Sequence, residues 1–252
     1  IKKYYTPGVI IDADGIGNWS GTWSGTTDGY NGSTNAITST SGASYGNNEQ
    51  RFATLTTDLD LTTSNSTVIQ FNAKWDLERN FDFVQFEGSI DNGASWTALC
   101  GKYTKPASGG PGNLHLNKSA SDEAHQGSFG DLIYDGDLTY DPNVVNTATA
   151  ADDVDKWVME EFLIDPFNNS TFYNQPDVRF RFYFDTDSSN REDGYDTNFE
   201  GFTFDDFKVI SISVPCDASN PPSNITTDNI SATSADVTWD AIPSATYDLE
   251  YR

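Results

Sequence analysis

The chain has 252 residues, 38 acidic against 14 basic, and a net charge of −24. An excess of that size repels nucleic-acid phosphates and anionic lipid headgroups alike, which sets both aside as partners. No apolar run nears the roughly 18 residues a membrane-spanning helix needs, so no membrane insertion is expected.

Richness in Asn, Ser, Thr, Gly and aromatics, with one Met and few Lys, reads as an exported protein, secreted or held at the cell surface. The chain begins at Ile1 and carries no signal peptide, so it is expected to be a mature or excised piece. Cys100 and Cys216 are too few for a disulfide scaffold and lack zinc-like spacing. They have two options: to pair with each other, or for Cys216 to pair beyond Arg252.

The first element, "IIDADGIGN", sets Asp12 and Asp14 before a glycine turn. Polar, glycine-rich sequence follows and carries Trp19, Trp23, Tyr30 and Tyr45, which in such loops are candidate platforms for a sugar ring. "GASYG" at Gly42 to Gly46 lacks the strand-turn-helix setting of a nucleophile elbow. In "TVIQFNAKW" the apolar Ile69, Phe71, Ala73 and Trp75 alternate with polar residues, which predicts a half-buried strand. "FDFVQFEGSIDNGASWTAL" predicts a hairpin, with Asn92-Gly93 supplying positive φ at the turn.

From Tyr103 to Asp155 the periodicity lapses, predicting an insertion that is solvated or, alternatively, a lid. Both histidines, His115 and His125, fall in it, outside any zinc-peptidase motif. Strands resume with "KWVMEEFLI" and with "DVRFRFYF", which puts Val178, Phe180, Phe182 and Phe184 on one face. "FDTDSSNREDGYD" then offers Asp185, Asp187, Asp193 and Asp196 at a spacing that echoes a calcium loop, though with strands on its flanks.

The last strand of the first unit, "GFTFDDFKVISI", has Asp205 and Asp206 side by side among buried-type residues. Carboxylates there must be solvated, protonated or neutralised by a cation. First and last strands of a jelly roll lie near one another, so Asp12 or Asp14 is expected to meet Asp205 or Asp206 across Ca²⁺. The competing reading turns one of the pair to solvent and absorbs the other in a bulge.

The predicted architecture is all-β: a jelly-roll β-sandwich over 1–213 with its insertion at about 103–155, then a linker over 214–220. Residues 221–252, with Val237, Trp239, Tyr247, Leu249 and Tyr251, resemble the early strands of a fibronectin type III domain. Three strands cannot bury that face alone, so a longer multidomain protein is expected, its other domains being partners of this one. No acid/base pair or nucleophile arrangement stands out, and catalysis by the chain is not expected.

The series "AKWDLERNFDFVQFEGSIDNGASWTALCGKYTKP", "YDG", "WVMEEFLI", "VRFRFYFDTD" and "EGFTFDDFKV" resembles jelly-roll accessory domains of secreted bacterial zinc peptidases. Those are of metallocarboxypeptidase or immune-inhibitor-A type, and are similar in architecture to MAM and cleaved-adhesin domains. The resemblance implies a structural Ca²⁺ held by Asp14 and by Asp205, with Asp206 beside it. It also implies a non-catalytic role beside a peptidase, in a protein exported by type IX secretion. A glycan-binding or adhesive module is the alternative, with glycans or a protein substrate as partners.

Overall fold

The computed structural model describes residues 6–40, 44–77, 81–104, 132–134, 157–188 and 201–213, with short pieces between 224 and 240. Among them are β1 (Thr6–Asp12), β2 (Trp19–Gly21), β3 (Ser24–Thr26), β4 (Ala36–Thr38), β5 (Gln50–Leu55), β6 (Ser66–Asp76) and β7 (Phe83–Ser89). β8 (Thr97–Ala98), β9 (Ile133–Tyr134), β10 (Val158–Ile164), β11 (Arg179–Asp185) and β12 (Gly201–Ser213) complete the sandwich. No helix of the described residues is long and apolar enough to cross a membrane.

One sheet runs β10-β6-β12-β4-β3, with β1 also on β12; the other runs β2-β5-β11-β7-β8, with β9 also on β7. All pairings are antiparallel. The two sheets pack as a jelly-roll β-sandwich. Alternation places the expected residues inside: Ile69, Phe71, Ala73 and Trp75 from β6 meet Phe180, Phe182 and Phe184 from β11 in one core. Phe182 lies at its centre, stacked on Phe204 at 4.3 Å between centroids and close to Phe86 at 4.8 Å.

Asn92 and Gly93 take φ of 59° and 83° between β7 and β8, the positive-φ turn that the sequence predicts. In β12 the inward residues are Phe202, Phe204, Phe207 and Val209. An inward set with that break in alternation needs one extra residue, and the register with β6 shifts between Asp205 and Lys208. Asp206 takes the strain, at φ 56°.

Three aromatics that the sequence offers as surface platforms are core instead. Trp19, Trp23 and Tyr45 are each at most 6% exposed. Trp19 packs edge-on against Phe207 at 4.9 Å, Trp23 lies against Phe182 at 5.5 Å, and Tyr45 meets Phe184 at 5.2 Å. Burying such rings outweighs the polarity of their flanks, and the Trp19 indole finds an acceptor in the Ala13 carbonyl at 3.0 Å.

Most of the insertion, Cys216, the linker, His115, His125, Asp193 and Asp196 lie outside the described residues. Of the expected fibronectin-like segment, β13 (Thr226–Asp228) and β14 (Asp236–Thr238) are described, as an antiparallel pair.

Candidate functional site

Where β1 ends and β12 bulges, three carboxylates converge. Ligand oxygens of Asp14, Asp205 and Asp206 lie within 4.8 Å of one another. Pairing of β1 with β12 brings the first and last strands of the sandwich together, and Ala13 N donates to Phe207 O at 2.9 Å just beyond the last paired residues. The bulge then turns both aspartates toward Asp14.

Asp205 is the buried member, 2% exposed. Its Oδ2 accepts from Tyr30 N at 2.8 Å, and its Oδ1 accepts from Asp206 N at 2.9 Å and from Ser33 Oγ at 3.3 Å. Asp14 Oδ2 accepts from Asn35 Nδ2 at 3.1 Å, and Asp206 Oδ2 from Asn72 Nδ2 at 3.1 Å. Asp14 Oδ1 is buried and accepts no hydrogen bond among the described residues.

Burial, and then the nearby Asp14 carboxyl, push Asp205 above the ordinary carboxylate range, against the pull of its hydrogen bonds. Three acids this close share a proton or a cation, or else repel. A donor set made only of carboxylates, with an orphaned buried oxygen among them, fits a hard cation such as Ca²⁺.

Asp12 stands apart from this group. Its carboxylate is half-exposed and lies 3.8 Å from Lys208 Nζ, across the register pair Asp12–Lys208. Alternation sends Asp12 away from the bulge, and Asp14 reaches it only because the strand has ended. Asp185 and Asp187, expected in a separate calcium loop with Asp193 and Asp196, are not members of this group. Asp185 accepts from Gln50 Nε2 at 2.9 Å and from the Tyr183 hydroxyl, whereas Asp187 N donates to Asp82 Oδ1 at 2.9 Å.

Tyr30 alone of the four aromatic candidates remains partly exposed. It opens the short turn Tyr30–Gly32, and its ring meets that of Trp157 at 6.0 Å and 64°. Lys74 lies over Trp157 at 5.3 Å and pairs with Asp28 at 2.6 Å. Sequence reading missed Asp28, Ser33, Asn35, Asn72 and Trp157. Only register places them together, although Asn72 could be read as outward-facing from the alternation of β6.

A second buried carboxylate lies apart from these acids. Glu160 is fully buried and accepts from Lys102 N at 2.7 Å, Tyr103 N at 3.0 Å and Tyr134 Oη at 2.7 Å. Burial raises it above the ordinary range, against those donors. It fastens β10 to the segment after β8 and to β9.

No protein-family model matches the chain, and no curated protein does. Solved structures similar to it include the module TmCBM61 in complex with β-1,4-galactotriose, at 8% identity and a TM-score of 0.36, covering 80% of this chain and 97% of that one. The xylan-binding module CBM15 gives 11% identity and a TM-score of 0.35, over 83% of this chain and 98% of that one. The CBM22-2 xylan-binding domain from Paenibacillus barcinonensis Xyn10C gives 13% and 0.36, over 80% and 99%. At these scores the fold assignment rests on the strand pairings of the chain itself.

Proposed function

We propose that the chain is a non-catalytic β-sandwich module whose first and last strands are clamped by a structural Ca²⁺ at Asp14, Asp205 and Asp206. The observation that carries this reading is the buried Oδ1 of Asp14, without a hydrogen-bond partner among the described residues, beside the buried Asp205. A bound cation would neutralise the mutual repulsion of the three carboxylates and tie the end of β1 to the β12 bulge. The resemblance to peptidase accessory domains supports a place beside a catalytic unit in a longer secreted or cell-surface protein. That half of the reading rests on the sequence alone.

Thermal melting with added Ca²⁺ and with chelator tests the clamp. Free Ca²⁺ at about a hundred times its dissociation constant stabilises the folded state by about 2.7 kcal/mol. For a sandwich of this size that is a rise of roughly 5–10 °C. The rise should vanish in Asp205→Asn. An equal melting temperature with Ca²⁺ and with chelator in the unsubstituted protein removes the cation from the reading.

Glycan binding is a second reading, favoured by one observation. Tyr30 stays partly exposed and meets a second partly exposed ring, Trp157.

A further inference from the structure

We propose that Tyr30, Trp157 and Asp28 form a binding site for a neutral pyranose chain on the outer face of the β10-β6-β12 sheet, an inference that rests on the glycan-binding reading. The register sets the site. Val158 pairs with Ala73, so Trp157 stands next to Lys74 on the neighbouring strand. The β6 residues facing the core are Ile69, Phe71, Ala73 and Trp75, and Lys74 therefore points outward. Tyr30 closes over from the other side with its ring near that of Trp157. Met159, 54% exposed and two positions along the same strand, extends the apolar surface.

The polar part is equally specific. Lys74 is nearly buried, at 6% side-chain exposure, whereas Asp28 is 71% exposed and held 2.6 Å from the Lys74 ammonium. The lysine thus serves as a fixed base under an open carboxylate. Asp28 Oδ2 takes the lysine, and Oδ1 accepts no hydrogen bond from a described residue. A pyranose ring presents an apolar C–H face, which packs on an aromatic ring, and a rim of hydroxyls, which donate to a carboxylate.

Preorganisation supports the same assignment. Tyr30 N is tied to Asp205 Oδ2 at 2.8 Å, and the turn closes through Ser33 N on Tyr30 O at 3.0 Å. Little ordering is then left for binding to impose. Charge selects the class of chain. With a net −24 and an open carboxylate at the site, polymers of uronate or sulfated sugars are repelled and neutral ones are not. The outward aromatics of the opposite sheet do not compete. Trp96 and Phe52 hold the Arg181 guanidinium between them, at 4.1 and 4.9 Å from their centroids, and Arg181 pairs with Glu87.

The test is electrophoresis through gels containing soluble arabinoxylan, β-1,4-galactan, mixed-linkage β-glucan or hydroxyethylcellulose, with alginate and pectate as anionic comparators. The protein should be retarded by at least one neutral polymer and by neither anionic one. Trp157→Ala and Tyr30→Ala should each weaken retardation by about tenfold. Trp157→Phe, which keeps a ring face, should retain most of it, as should Trp96→Ala on the other sheet. Neutral-polymer retardation that survives in both Trp157→Ala and Tyr30→Ala would overturn the site while leaving the glycan reading in place. No retardation by any neutral polymer would overturn both.

Discussion

Asp14 and Asp205 place carboxylate oxygens within 4.8 Å of each other, one at the end of the first strand and one in the bulge of the last. The pair is asymmetric: Asp205 has three donors on it, whereas Asp14 Oδ1 has none among the described residues. Asp14→Asn should therefore act in opposite directions in two buffers. In chelator it relieves repulsion and raises the melting temperature by a few degrees; in Ca²⁺ it removes a ligand and lowers it. Calorimetry in the two buffers reads both signs, and a shift of one sign in both would contradict the assigned role.

Gly29 lies against the same acids. A Cβ built there meets Ser33 O at 2.5 Å and Asp205 Oδ2 at 2.6 Å. Gly29→Ala should cost about 1–3 kcal/mol through displaced backbone. It should also shrink the Ca²⁺-dependent rise in melting temperature, because the carboxylate must move. Urea unfolding with and without Ca²⁺ separates the two effects.

Glu160 supplies a pH dependence. Its folded-state pKa is raised by burial, so between its unfolded value and that raised value the native state binds more protons. Stability from this group is therefore greatest at low pH and falls as pH rises through the window. Glu160→Gln has no such slope. The stability of the unsubstituted protein relative to Glu160→Gln should be highest below the ordinary carboxylate value of 4.5 and decline as the pH rises above it, as read by urea unfolding over a pH series.

Arg181 guards another buried acid. Its Nε lies 2.5 Å from Glu87 Oε2, and the Glu87 side chain is 9% exposed. Arg181→Met leaves that carboxylate buried without its cation, at a cost of about 3–5 kcal/mol at neutral pH. Burial already raises Glu87, and losing the arginine raises it further. The penalty should accordingly shrink as pH falls through the carboxylate range, which paired urea titrations at pH 7.5 and 4.5 would show.

Trp19 tests the reassignment from platform to core. Trp19→Ala removes a ring packed on Phe182, Phe204 and Phe207 and should cost about 3–5 kcal/mol. A solvent-exposed platform would lose almost no stability on the same change. Denaturant midpoints distinguish the two outcomes.

What the sequence makes legible follows the range of the interactions. Alternation exposes the inner faces of β6 and β11 because it is local. It also encodes the bulge: Phe202 and Phe204 fall out of step with Phe207 and Val209, and Asp205-Asp206 is where the step changes. Trp19 and Trp23 mislead because their neighbours are Ser, Gly and Thr, the composition of a loop, yet both rings are buried, Trp19 at the start of β2 and Trp23 in the link between β2 and β3. Glu160 is marked by alternation as well, since it shares a face with Phe162 and Ile164. Alternation marks Lys74 as outward-facing, but nothing local joins it to Asp28 and Trp157: their meeting depends on the pairing of β10 with β6 and on a turn from far upstream.

β12 is the last strand of the sandwich to leave the ribosome, and it lies between β6 and β4 in the middle of its sheet. Until it arrives, β6 and β4 have no partner between them, and β1 has no other partner among the described strands. The sheet closes only through contacts between strands far apart in sequence, which are slow to form. During synthesis or export the sandwich therefore stays open, with unpaired edges, until residues near Ser213 emerge. The acidic trio assembles in that same final step, so folding should be a single late event rather than a gradual one, and Ca²⁺ should act on a nearly complete chain.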